Sequence, residues 1–557
     1  MKYINLIIVF SFALSSVVGQ GKENLVETGT YQKTESILQA KGFVFNDANK
    51  NGVKDNNEKG IGGVLVSNGI DIVKTDKKGK YEIPVSDDAV IFVIKPAGWM
   101  TPLNEHNLPQ FYYLRKEKGS PDNYKYKGIA PTGELPDQIN FPLYPHQDSD
   151  NFKILVFGDT QPYNLEQVDF LAEDIITELV DKNDILFGMT MGDVVGDNLD
   201  LYKPLNETIN QIGIPWYNVM GNHDVNYMSP DDKQSDDTFK RVYGPSTYAF
   251  VYGKVHFIVL DDILHHEEVG STKYEGGLRP EQLTFVSNYL KEVPKEDLVV
   301  LNMHIPFDLQ GRSFRSADQD QLFDLLKDFP NTLSISGHTH LLNNYYFNTT
   351  NSSWQQNMPH HHFNAGATCG SWWCGLRNEN DVPHTMMRDG VPNGYAFVNF
   401  NGTDYVIDWK VAGSAEDHQM NIYVPRGVVA HSSDTTLLTV NFFNGCEQSQ
   451  LRFRIKGQTN WKEMRSVEKF DPYYEKIAQR WVNFKKINLD KVWLADSTLT
   501  VHDFPGSPLI GPANTTHIWE ANIGTDFDAG RYIIEVEAKD RYGRMFKAYQ
   551  SLRIEDK

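Results

Sequence analysis

The chain has 557 residues, a formal charge of −20 and an ordinary globular composition with a generous aromatic share. Such a length exceeds one hydrophobic core and implies roughly two to four domains. The acidity argues against bulk binding to nucleic acid or to an anionic membrane surface, and no basic patch for nucleic acid is evident.

The first residues, "MKYINLIIVFSFALSSVVGQ", place a lysine before an apolar run and small residues near Val17 and Gly19. This pattern reads as a secretory signal over 1–19, cut near Gly19 or Gln20; a buried first strand is the alternative. No cysteine sits at the cut, which argues against a lipid anchor. No other apolar stretch is long enough to span a bilayer, so a periplasmic or secreted protein is expected.

Residues 20–38 are polar and read as a flexible lead. From 39 to 143 short strands alternate with turns ("KGFVF", "GVLVSNG", "GKYEIPV"), the texture of a small β-sandwich. Within it "DANKNGVKDNNE" fits the calcium-loop template D-x-N-x-N-G-x5-E. Asp47, Asn49, Asn51 and Asp55 would give side-chain oxygens, Val53 its carbonyl and Glu58 both carboxylate oxygens, with Gly52 at the turn. The flanks are strands rather than helices, so the loop resembles the calcium loop of B-type repeats in bacterial surface adhesins. The rival reading is a polar turn. A structural calcium ion is the expectation.

"YPHQDSDN" (144–151) reads as a linker, and 152–404 as a layered α/β domain. Val168, Leu171, Ile175 and Leu179 share one helical face, as do Leu283, Val286, Leu290 and Val293 after a helix start at Pro280. From 405 to 557 the chain returns to strand texture. Cys369 and Cys374 either close a small loop in "CGSWWC" or stay unpaired; with Cys446 the count is odd.

Five short motifs lie in the middle region: "GDTQ" (Gly158–Gln161), "GDVVGD" (Gly192–Asp197), "GNHD" (Gly221–Asp224), "MHIP" (Met303–Pro306) and "GHTH" (Gly337–His340). Singly each is weak. Each, however, follows an apolar or mixed run. If those runs are strands of one sheet, all five motifs project from carboxyl ends, where α/β folds gather their sites. Carboxylate, amide and imidazole collected at one rim suit divalent metal, and their number suits two ions.

In this order the motifs resemble the calcineurin-like metallophosphoesterase family, whose pattern runs D-x-H, G-D-x-x-D or similar, G-N-H-D/E, a lone H and G-H-x-H. The resemblance covers roughly 152–345. It implies a four-layer α/β fold, a calcineurin-like β-sandwich core flanked by helices. The outer regions resemble the all-β (Ig/prealbumin-like) N-terminal domain and the β-rich C-terminal domain of a bacterial secreted group in that family.

Carried over, the resemblance implies that Asp159, Gln161 and His340 hold one ion, that Asn222, His304 and His338 hold a second, and that Asp193 bridges them. His223 would serve the leaving oxygen. Asp224 either orients His223 or is a turn carboxylate, and Asp197 is either a site residue or a loop acid. Gln161 departs from the family's histidine; its neutral oxygen loosens the expectation of zinc and admits manganese, iron or magnesium.

The implied reaction is in-line hydrolysis of a phosphate ester on a small molecule or polymer, with two metal ions activating the bridging water that attacks. A monoester is favoured. Alternatives are a phosphodiesterase acting on a cyclic nucleotide, a glycerophosphodiester or a phosphate-bearing glycan, or a cell-surface binding module with vestigial catalysis. Trp372, Trp373 and Arg377 either line the cleft, with Arg377 on phosphate, or pack the core. His360, His361 and His362 could look like a third metal site, but three neighbours cannot all point one way, and they read as structural or exposed histidines.

Overall fold

The computed structural model describes residues 38–266, 269–307, 313–432, 436–492 and 509–556, with side chains for all of these except 484–492. The expected signal segment and nearly all of the lead fall in 1–37, outside the described residues. Among the described residues no helix is long and apolar enough to cross a membrane.

The N-terminal region forms two four-stranded sheets. One contains Gln39–Asn46, which pairs antiparallel with Lys80–Pro84 and parallel with Phe141–Pro145. The other is built on Ala89–Val93. Alternating burial along Lys80–Pro84, with Tyr81 and Ile83 inside, is the half-buried strand pattern. Their apolar faces continue into the core of the next region: Phe92 packs edge-on to Phe285 at 5.9 Å and Phe111 lies 5.3 Å from Tyr248.

That next region is a sandwich of two sheets. The first carries β1 (Asn151–Phe157), β2 (Phe187–Met191) and β3 (Trp216–Val219), which run parallel. It is completed by the antiparallel hairpin Gly394–Asn401 and Asp404–Val411. The second carries β4 (Leu298–Asn302), β5 (Thr332–Ser336) and β6 (His360–Ala365), also parallel. These strands are almost wholly buried because both faces are covered, and β2 and β4 read as near-continuous apolar runs, whereas β5 and β6 carry polar residues that pair with one another. On one flank Val168, Leu171, Ile175 and Leu179 all turn inward, although the helix passes from α to π geometry at Ala172–Ile176. On the other, Pro280–Leu290 starts with proline in its first turn and buries Val286 and Leu290.

Two expectations are corrected. The motif strands belong to two sheets, three in one and two in the other. The strand Asp404–Val411 pairs along its whole length with Gly394–Asn401, so the central sheet extends to Val411 and no break falls at 405. Strand texture signals a change of secondary structure there, not a change of sheet.

Beyond it lie a four-stranded and a five-stranded sheet with their own apolar core, including Leu438, Val440, Trp519 and Ile534. The long helix Pro472–Val492 also belongs to this region. Tyr474 and Ala478 near its start pack against Met386 of the central region.

Candidate metal centre

The carboxyl ends of β1, β2 and β3 meet those of β4 and β5, and all five motifs leave the sandwich at that junction. The turns are tight. Gln161, Asp193, His338 and His340 are all left-handed, with φ of 41°, 45°, 73° and 53°. Such backbone is unfavourable for residues with a Cβ and persists where surrounding contacts enforce it, commonly at functional sites. Gly192 is also left-handed, and a Cβ there would collide with the His304 ring.

The side chains form two groups around Asp193. In the first, Asp159 Oδ2 lies 3.1 Å from His340 Nε2. His340 Nδ1 is 2.6 Å from the Gly370 carbonyl and must donate to it, so Nε2 presents a lone pair to a carboxylate oxygen. In the second, His304 Nδ1 donates to the Met191 carbonyl at 2.8 Å. Its Nε2 then faces Asn222 Oδ1 at 3.1 Å, His338 Nδ1 at 3.2 Å and Asp193 Oδ1 at 3.3 Å. Among the described residues, Asp193, His304 and His338 bring one donor atom each within 4.8 Å of one another.

Acceptors turned on one another at about 3 Å repel unless a proton or a cation lies between them. Asp159 Oδ2 and Gln161 Oε1 are buried and have no hydrogen-bond donor. Gln161 approaches Asp193 from the first group, its amide nitrogen 3.3 Å from Oδ2. Burial by itself would keep His304 neutral, but Asp193 and Asp159 outweigh it and push it up to about 10. Its neighbour His338 is driven down to about 4 by burial and by His304. Burial also works to raise Asp193, yet His304 and His223 hold it well below the usual carboxylate range. In short, the cluster calls for positive charge. A divalent metal answers that need on the lone pairs that a proton would otherwise take. The donor set fits such an ion: buried carboxylate, amide and imidazole, with His304 and His340 fixed by backbone carbonyls.

His223 stands beside this cluster with its side chain 25% exposed, open to solvent. Its backbone N–H donates to Asp193 Oδ1 at 2.8 Å and its Nε2 is 4.0 Å from Asp193 Oδ2. The partner of Nδ1 is Asp197 at 2.8 Å, whose Oδ1 also lies 2.9 Å from Tyr227 Oη. Burial lowers His223, but Asp193 and Asp197 push it up to about 9, which keeps the ring protonated near neutrality.

Asp224 is therefore corrected. Fully buried, it accepts from the backbone N–H groups of Gly221, Val194 and Val195 at 2.9, 3.0 and 3.2 Å and lies 3.1 Å from Tyr202 Oη. It ties the "GDVV" turn to the "GNHD" turn and does not orient His223. Arg377 is corrected too. Glu166 at 2.7 Å and Asp381 at 2.8 Å take up its charge, and it lies over the Phe170 ring, so it is no phosphate contact here. Trp373 is buried and donates to the Thr160 carbonyl at 3.0 Å, whereas Trp372 is half-buried and stacks on His340 with centroids 4.0 Å apart. Cys369, Cys374 and Cys446 are free thiols.

The three adjacent histidines sit in β6. His360 and His362 face one way, against the hydroxyls of Thr332, Ser334 and Ser336 on β5 at 2.6–2.8 Å. His361 faces the other way, 2.9 Å from both Tyr405 Oη and Asn344 Oδ1. Burial drives all three below the usual histidine range. One contributor went unread in the sequence. Asp262 is buried and accepts from the N–H groups of His304 and Ile305 at 3.1 and 2.8 Å. Its signal was present: "VHFIVLDD" is another apolar run ending in acid.

The N-terminal loop folds on itself. Asp47 accepts from the N–H groups of Asn51 and Gly52, at 3.1 and 2.9 Å. Glu58 accepts from those of Ala48 and Asp55, at 2.9 and 3.1 Å. The Asn49 and Asn51 amides donate to Asp55 at 2.8 and 3.1 Å. Gly52 is left-handed at φ 75°, as the template requires, and Val53 is exposed.

Comparison with known proteins matches three successive stretches to models of one family. These are the N-terminal domain of calcineurin-like phosphoesterase at 48–130, the calcineurin-like phosphoesterase domain itself at 152–342, and the C-terminal domain at 362–546. The chain belongs to the calcineurin-like phosphoesterases and is a metal-dependent phosphoester hydrolase. Among solved structures it is similar to purple acid phosphatase PPD1 from yellow lupin (Lupinus luteus) seeds, at 12% identity over 63% of this chain and 67% of that one, with a TM-score of 0.35. It is also similar to PhoD, at 11% identity over 73% and 97%, with a TM-score of 0.36. Among curated proteins, serine-aspartate repeat-containing protein D of Staphylococcus aureus (strain Newman) is 38% identical over 86 residues, 14% of this chain and 6% of that protein's length.

Proposed function

We propose that the chain is an exported two-ion phosphoesterase that prefers phosphate monoesters. Asp159, Gln161 and His340 would hold one divalent ion, Asn222, His304 and His338 the other, and Asp193 both. The observation that carries this reading is the buried close approach of ligand-type groups, Asp159 to His340 and Asn222 to His304, each 3.1 Å apart. When bound, two such ions supply an acidified water as nucleophile and a positive clamp for the phosphoryl oxygens. Asp159 and Asp193 are the only carboxylates in that set. They leave two dications under-neutralised, and a net positive site favours the more highly charged monoester over a diester.

The chain's own groups do the rest. His223 is fixed by Asp197 through Nδ1, so its Nε2–H is free to protonate the departing oxygen. Trp372 stacks on His340 and Tyr274 meets His338 edge-on at 6.1 Å, so aromatic rings flank the ligands. Export to the periplasm or the medium rests on the signal-like first residues. The ion identity stays among manganese, iron, zinc and magnesium. The N-terminal loop is read as a structural calcium site.

The test is a paired assay. Purified full chain with manganese would be given p-nitrophenyl phosphate and bis-p-nitrophenyl phosphate side by side. Dominant monoester cleavage supports the reading. Dominant diester cleavage replaces it with a phosphodiesterase, and metal-replete protein inert to both would favour a binding module.

A further inference from the structure

The two halves of the centre are not supported alike. The loop Cys369–Cys374 lies behind Asp159 and His340. Cys369 N–H donates to the Asp159 carbonyl at 3.0 Å, and Trp373 Nε1–H to that of Thr160 at 3.0 Å. Gly370 receives the His340 Nδ1–H at 2.6 Å, and the Trp372 ring lies 18° from parallel to the His340 ring. These four contacts all reach the turn that carries Asp159 and Gln161, or His340. The loop is also strained: Gly370, Trp372 and Trp373 have φ of 57°, 54° and 53°. Left-handed backbone at two tryptophans needs an outside restraint.

Thr385 holds the loop from within the central region, accepting the Ser371 N–H at 3.1 Å and donating to the Cys369 carbonyl at 3.0 Å, and a further restraint comes from the C-terminal region. Ser371 is fully buried, and its hydroxyl lies 3.1 Å from Tyr474 Oη, also fully buried, at the start of the helix Pro472–Val492. Tyr474 gives its own proton to the Ile510 carbonyl at 2.8 Å, so Ser371 is the donor and the bond has a fixed direction. Tyr474 is set in turn by Asp471, which accepts its backbone N–H at 2.8 Å and holds Asn441 at 2.9 Å. A second strut reaches the chain two residues beyond His340. Asp389 accepts the N–H of Leu342 at 2.7 Å and meets His517 of the C-terminal region at 3.3 Å.

We propose that Tyr474 is a positioning residue for the metal site, acting through Ser371 to hold the loop that orients His340. The C-terminal region then selectively sets the affinity of the Asp159–Gln161–His340 half, while the Asn222–His304–His338 half is held within the central sandwich. This rests on the two-ion reading above. Partners that fix the tautomer and tilt of a ligating histidine are worth about 10–100-fold in metal affinity, and Tyr474 lies one step further out, so a loss of about tenfold is expected.

The test is calorimetric titration of chelator-stripped full chain with manganese, for wild type, Tyr474→Phe, Ser371→Ala and the double variant, with thermal melts alongside. Expected are two equivalents in wild type. In each single variant one equivalent should weaken by about tenfold while the other holds. The double variant should be no worse than the weaker single, and melting points should stay within a few degrees. Wild-type affinity at both equivalents in Tyr474→Phe and Ser371→Ala would overturn the proposal. So would equal weakening of both equivalents with a large fall in melting point, the mark of general destabilisation. Fewer than two equivalents in wild type would overturn the two-ion reading itself, and this inference with it.

Discussion

The centre at the sheet junction and the loop at Asp47–Glu58 both gather oxygen donors, but they differ in what satisfies those donors. In the loop, Asp47, Asp55 and Glu58 are each met by N–H groups of the same twelve-residue segment, so the turn is closed by its own backbone and amides. At the junction, His340 Nε2 faces Asp159 and His304 Nε2 faces Asn222 and Asp193 at 3.1–3.3 Å, contacts that hold only with a proton or a cation between them, and Asp159 Oδ2 and Gln161 Oε1 have no hydrogen-bond donor. A self-satisfied cluster tolerates a cation. A cluster of opposed, buried lone pairs requires positive charge. The contrast favours the junction as the candidate metal centre, and it leaves the loop with no unmet demand for a cation.

The largest expected effect is at Asp193. Asp193→Asn should lower turnover by about 10³-fold or more while the melting point barely moves, as read by steady-state kinetics and thermal melts. Near-normal turnover would remove Asp193 from the centre of the account. Next comes His223→Ala, with a loss of about 10²-fold in kcat. The loss should be greater on phenyl phosphate than on p-nitrophenyl phosphate, because the poorer leaving group needs the proton more. Asp197→Asn should reproduce part of that substrate dependence. Asp224→Ala should instead cost about 1–3 kcal/mol of stability by denaturant melt, since it leaves three backbone N–H groups unmet.

Gln161→His should move the metal preference toward zinc, measured as activity across manganese, zinc and magnesium, with at most a modest change in peak rate. An unchanged metal profile would take Gln161 out of the ligand set. The smallest effect is at the loop. Millimolar calcium should raise the melting point by a few degrees, Glu58→Gln should erase that rise, and phosphatase activity should be unaffected by either. A calcium requirement for activity would break the contrast drawn above.

Much of this was legible because strand ends announce themselves. Apolar runs stopping at Gly158, Gly192, Gly221 and Gly337 marked four of the five motif positions, and alternation in a strand separated His361 from His360 and His362. What stayed hidden depended on direction and on distance along the chain. Asp224 follows His223 directly, yet its carboxylate turns to the backbone of Val194 and Val195 because the left-handed turn at Asp193 aims those N–H groups at it. Arg377 is neutralised by Glu166, an acid on a helix far earlier in the chain that no local pattern pairs with it. Asp262 was missed because its strand ends in acid without glycine or histidine. The support of His340 by Tyr474 joins regions more than a hundred residues apart and has no signature of its own.

The most direct measurement is a metal count. Full chain purified from metal-replete medium, dialysed without chelator and analysed by plasma mass spectrometry, should retain two transition-metal equivalents per chain, calcium being counted separately. Asp193→Asn prepared in parallel should retain clearly fewer. One equivalent or none in the wild-type chain, or an undiminished count in Asp193→Asn, would contradict a two-ion centre built on Asp193.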